Sequence, residues 1–145
     1  MTMQLSTRQK KFLEAACETL IPKDAPIEIS GLDAGAIENL EKFLASLPKN
    51  QRTLIFWLFR LIGLLAFVKG LKPLRLQSQK KREYFFMWLE KSGIYFLRMS
   101  YYSLKTLVGI GYFANPDVMN GIGYFKTCPY PNDPWKIEIK KGYKP

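Results

Sequence analysis

Residues 54–68 read LIFWLFRLIGLLAFV, fifteen residues in which Arg60 is the one charged side chain. How this run is read decides the fold. A membrane-crossing helix needs about 20 consecutive apolar residues, and the run falls short of that. An arginine near the centre of a span costs roughly 2.5–3.5 kcal/mol on insertion scales. The run is therefore read as a helix buried on most sides of an all-helical domain, with Arg60 paired or reaching the surface. Interfacial attachment through this segment and the flanking Lys69, Lys72 and Arg75 is the competing reading.

Helical signals continue on both sides of the run. Upstream, Ser6-Thr7-Arg8-Gln9 has the form of a capping box. Leu13, Ala16, Cys17, Leu20 and Ile21 follow at amphipathic spacing until Pro22 stops the helix. Residues 22–32 read as a loop, and Asp33 is expected to cap a second helix lined by Ile37, Leu40, Leu44 and Leu47. The third helix begins at Asn50 and ends at Gly70 and Pro73. Ser78 is expected to cap a fourth helix reaching Lys91, and Gly93 breaks the chain before a fifth at 94–110. Asn115-Pro116-Asp117 is a helix start, with a cap, a proline in the first turn and an acid beside it, so a short sixth helix should run to about Gly121. Gly-Ile-Gly-Tyr-Phe occurs at 109–113 and again at 121–125, a period too short for a solenoid, and is read as coincidence or a shared helix-ending device.

The expected fold is all-α: a compact bundle of about five helices plus a short sixth over residues 1–125. An extended proline-rich C-terminal arm over 126–145 follows, in which Ile137-Glu138-Ile139 could form a small strand beside a partner. The chain has 145 residues, which suits one domain, and its 48% hydrophobic content is enough to offset the chain entropy of folding.

Charge is unevenly spread. Residues 49–105 hold twelve Lys/Arg and two Asp/Glu, whereas 1–48 hold five and seven, and 106–145 five and three. Such a block favours an acidic partner surface, an anionic membrane or a nucleic acid. The chain has no histidine, which removes His-dependent triads and the commonest metal ligand. Two cysteines cannot form a four-ligand cysteine site; Cys17 lies on a buried stripe and Cys128 in the arm. Glu14 with Glu18, and Glu38 with Glu41, are helical neighbours on polar faces, not an acid–base pair. Glu83 and Glu90 are expected in ion pairs with the bases around them. The glycines at 109, 111, 121 and 123 lack the spacing of a phosphate loop. Lys80-Lys81-Arg82 precedes Tyr84, Phe85, Phe86 and Trp88, a basic and aromatic mixture able to bind single-stranded nucleic acid, although helical spacing turns most of these rings inward. Glu14 and Glu18 fall where a secretory signal would be apolar, so the expectation is a cytoplasmic chain, membrane-associated or exported only with a partner that carries a signal.

Two stretches resemble a known family. Leu5-Ser6-Thr7-Arg8-Gln9, continuing to Ala15-Ala16-Cys17-Glu18-Thr19-Leu20-Ile21-Pro22, is similar to the start of the small subunits named after the third subunit of gluconate 2-dehydrogenase. Arg98-Met99-Ser100-Tyr101-Tyr102-Ser103-Leu104-Lys105, Gly111-Tyr112-Phe113, Asn115-Pro116-Asp117-Val118 and Ile122-Gly123-Tyr124 resemble that family's aromatic helix, turn, helix start and closing Gly-Tyr. Many members carry an export signal, and none is expected here from the polar opening residues; Phe125-Lys126-Thr127 also stands where Pro-Gly often follows. The resemblance implies a non-catalytic accessory subunit that binds, stabilises or matures a large FAD-dependent oxidoreductase of the glucose–methanol–choline type. This chain would then hold no cofactor, and the FAD would belong to the partner.

On that reading the partner is bound through residues 98–125 and the arm. The expected contacts are Arg98, Tyr101, Tyr102, Lys105, Tyr112, Phe113, Tyr124, Tyr130 and Trp135, since tyrosine and tryptophan make large, rigid anchors. Arg98 and Lys105, seven apart on one helix face, would pair with acids across the boundary. The alternative is a basic peripheral-membrane or nucleic-acid-binding module using residues 69–91.

Overall fold

Ser6 starts the first helix as its sequence dictates. Its Oγ accepts the Gln9 backbone N–H at 3.3 Å, and Gln9 Oε1 accepts the Ser6 N–H at 2.9 Å, closing both halves of the capping box. A computed structural model describes residues 5–23 and 29–123. In it the chain forms α1 (Thr7–Leu20), α2 (Ala36–Ser46), α3 (Lys49–Gly70), α4 (Gln79–Glu90), α5 (Tyr95–Phe113) and α6 (Pro116–Gly121). A single 3-10 turn, Leu74–Leu76, lies between α3 and α4, and there is no strand among the described residues. The fold is all-α. The arm, with Ile137-Glu138-Ile139 and Cys128, lies outside the described residues.

Three caps differ from expectation: Ser78 holds the N-cap position of α4 but its side chain accepts no capping bond, and the caps of α2 and α3 differ for local reasons. Asp33 does not cap α2. Its carboxylate accepts the Ser30 hydroxyl at 2.7 Å while its own N–H donates to Ser30 Oγ at 3.2 Å, so it closes a turn instead. Gly35, at φ 64°, then leads into Ala36 in the left-handed region that glycine enters freely. At the end of α3 the left-handed residue is Leu71, at φ 53°, where Gly70 was expected to serve. Gly70 is needed for closeness: the Gln77 amide occupies the space its Cβ would take, and Gln77 Nε2 donates to Ala66 O at 3.0 Å and Lys72 O at 2.8 Å.

The core joins Leu13, Ala16 and Cys17 of α1, Leu40 and Leu44 of α2, Phe59 and Ile62 of α3, Phe85 and Leu89 of α4, and Leu104 and Val108 of α5. Packing is closest between α2 and α5, where a Cβ on Gly111 would run into the backbone of Ala36. Three side chains reinforce that approach. Asn39 Nδ2 donates to Gly111 O at 3.2 Å, Asn115 Nδ2 to Ala34 O at 2.9 Å, and the Tyr112 hydroxyl to Ile29 O at 2.9 Å. Gly109 and Gly111 therefore lie inside α5, which runs past Ile110 to Phe113, whereas Gly121 ends α6 and Gly123 turns at φ 75°. The two Gly-Ile-Gly copies serve different purposes. Asn115 Oδ1 accepts the N–H groups of Asp117 and Val118, so the Asn-Pro start of α6 is formed as read.

Candidate functional site

The expectation that α3 is buried on most sides is overturned. Phe59, Ile62 and Ala66 are its buried residues, and Ile55 packs beside them. On the opposite side Leu54, Trp57, Leu64, Val68 and Leu71 face solvent, with Leu54, Trp57 and Leu71 exposed to 71, 63 and 83%. With half-buried Leu61 these positions step by three and four residues, so they form one stripe along the helix. The helix is apolar on two faces and the bundle covers one of them. Covering a single leucine or valine of this kind is worth about 1.5–3 kcal/mol, so the open face is a store of binding energy.

Cations border the stripe. Arg60 is exposed, its guanidinium 5.7 Å from the centre of the Trp57 ring, and Lys69 Nζ lies 4.0 Å from the centre of the Trp88 ring. A half-open groove of about 750 Å³ runs between α1 and the C-terminal half of α3. Phe12, Phe59, Leu64 and Phe67 line it together with Arg8, Lys11, Arg60 and Arg75, and no carboxylate does. No Asp or Glu occurs between Glu41 and Glu83, a stretch with ten Lys/Arg. Of those ten, Arg82 alone is in an ion pair among the described residues, its Nη1 2.7 Å from Glu18 Oε2. Glu83 and Glu90, expected to be paired, are in no ion pair among the described residues.

The outward face of α5 is the second apolar surface. Tyr95, Met99, Tyr102, Ile110 and Phe113 are exposed at helical spacing. At its N-terminal end, Tyr84, Met87 and Ile94 share a shallow hollow of about 510 Å³.

Among the expected contacts, Tyr102, Lys105 and Phe113 are exposed, and Arg98 is half-buried with its guanidinium 5.8 Å from the Tyr95 ring centre. Tyr101 and Tyr112 are not surface residues. They are 6 and 5% exposed, because the face of α5 that carries them, with Leu104, Val108 and Gly111, is the one turned to the bundle. Tyr101 packs on Phe86 with ring centres 5.9 Å apart, and Tyr112 is spent on the Ile29 carbonyl. Burial pushes both phenols above their ordinary pKa, with smaller contributions from Glu90 and Tyr102 at Tyr101 and from Cys17 at Tyr112. Tyr124, Tyr130 and Trp135 lie outside the described residues. Missed in the sequence were Tyr95 and Met99 on α5; the outer stripe of α3 falls in the segment for which interfacial attachment is the competing reading, but its positions were not singled out. A second apolar stripe opposite the first on the same helical wheel was the available signal.

The basic segment 69–91 offers few free rings. Phe85 and Phe86 are buried with centres 5.5 Å apart, and Trp88 is half-buried beneath Lys69. Cys17 is buried, and burial first, then Glu18 and Glu38, pushes its thiol up to about 11. It is therefore a neutral core thiol at physiological pH. No group of three His, Cys, Asp or Glu suited to a metal lies among the described residues.

No protein family, curated protein or solved structure matches this chain.

Proposed function

We propose that this protein is a non-catalytic accessory subunit that docks on a larger protein through the outward face of α5. The observation that carries the reading is the exposed row Tyr95, Met99, Tyr102 and Phe113, large side chains left uncovered by a bundle that has a complete core without them. Segment 98–124, which bears the family resemblance, includes three of these four residues. The partner inferred from that resemblance is an FAD-dependent oxidoreductase of the glucose–methanol–choline type, with the flavin and the catalytic groups in the partner. Gly111, Tyr112 and Asn115 have a scaffolding role in this reading: they fix the C-terminal end of α5 against residues 29–36 and so aim its outer face. Co-expression of a tagged chain with such a flavoprotein tests it. A yellow complex should elute from the affinity column, and a colourless chain eluting alone as a stable monomer would contradict the reading.

A further inference from the structure

We propose that the outer face of α3 seats the protein on an anionic phospholipid bilayer, with the helix lying in the plane of the interface. This inference does not rest on the oxidoreductase reading. By length and composition α3 is able to cross a membrane, with a mean hydropathy of 1.8 over its best window. Its inner face, however, is locked into the core through Phe59, Ile62 and Ala66, so a crossing would carry the bundle with it. What remains available is the opposite stripe, which spans 18 residues from Leu54 to Leu71, about 25 Å along the axis at 1.5 Å per residue.

Three observations select lipid over a protein partner. The stripe has no hydrogen-bonding group apart from the Trp57 indole, whereas protein interfaces carry about one hydrogen bond per 100–200 Å². A hydrocarbon surface needs none. The stripe is bordered by exposed Arg60, Lys69, Lys72 and Arg75 within an acid-free stretch, and interfacial helices pair apolar depth with basic residues at phosphate level in the same way. Finally, Leu71 holds a left-handed conformation that costs a branched residue energy glycine would not spend, and it holds it at the most exposed point of the stripe. A leucine kept there is placed to enter the acyl layer. Nucleic acid would use the charge and leave the leucines uncovered.

Flotation of the full chain with vesicles tests the proposal. The protein should float with phosphatidylcholine vesicles that contain phosphatidylserine, more weakly with phosphatidylcholine alone, and salt should reduce but not abolish the binding. The double variant Leu54→Glu/Val68→Glu should lose affinity by at least about a hundredfold and keep its helical circular dichroism, since both positions face solvent. Val68→Ser adds no charge, guards against misfolding of the double variant, and should lose about fivefold. Tyr102→Asp, on α5, should float like the wild type, which separates this face from the proposed protein-docking face. Absence of flotation with anionic vesicles, unchanged flotation of the double variant, or association of the chain with a second copy through these positions in place of vesicle binding would each overturn the proposal.

Discussion

The backbone of Gly111 lies so close to Ala36 that no Cβ fits between them. Gly109, two residues earlier in the same helix, has open space where its Cβ would be. The pair separates packing from propensity. Gly111→Ala should destabilise the fold by about 1–3 kcal/mol, because α2 must move away and the Asn39 bond to the Gly111 carbonyl weakens. Gly109→Ala should stabilise it by up to about 1 kcal/mol, the helix-propensity gain alone. Urea midpoints measured on both variants check the two signs.

Tyr112→Phe should cost about 1 kcal/mol, since the Ile29 carbonyl loses its donor. The same change should weaken partner binding much less than the loss of a surface contact does, because the Asn39 bond to Gly111 and the Asn115 bond to Ala34 still hold the C-terminal end of α5. Tyr102→Asp should behave in the opposite way, leaving the urea midpoint within about 0.5 kcal/mol while weakening the complex. A stability measurement and a pull-down on the same two proteins are sufficient.

Alkaline pH should unfold this protein sooner than its urea stability at neutral pH suggests. The Cys17 thiol titrates near 9.0 when unfolded and about 11 when folded, so ionisation favours the unfolded chain. Its contribution is complete below pH 9 and is lost as pH rises through about 11, on the order of 2 kcal/mol. The raised phenols of Tyr101 and Tyr112 act with the same sign. Urea midpoints from pH 8 to pH 11 should fall for the wild type and fall less for Cys17→Ala, measured relative to its own value at pH 8.

Leu71→Gly should raise stability by about 1 kcal/mol, because glycine holds a left-handed conformation without strain. It should also weaken vesicle binding, as the exposed tip of the stripe is lost. Thermal midpoint and flotation measured together reveal the trade.

Local signals were readable in the sequence. Ser6 with Gln9, and Asn115 with Pro116, cap the helices they announce, because a cap needs only its immediate neighbours. Asp33 misled for a local reason too: Ser30 competed for its carboxylate. What could not be read was which face of α3 and α5 points inward. Both helices are apolar on two sides, so periodicity marks the faces without choosing between them. The choice is made by small residues that let a neighbour approach: Gly111 brings α5 onto Ala36 and turns Tyr112 inward, and Gly70 admits Gln77 against α3. The consequence for the candidate site is direct. Tyr101 and Tyr112 went to the core while Tyr95 and Met99 went to the surface.

The accessory role is tested most directly by co-purifying the tagged chain, wild type beside Tyr102→Asp/Phe113→Asp, with a co-expressed glucose–methanol–choline flavoprotein and recording the flavin absorbance of each eluate. The account predicts a flavin-bearing complex with the wild type and its loss with the double variant, which should stay folded. Equal flavin recovery from both, or turnover by the isolated wild-type chain, would contradict it.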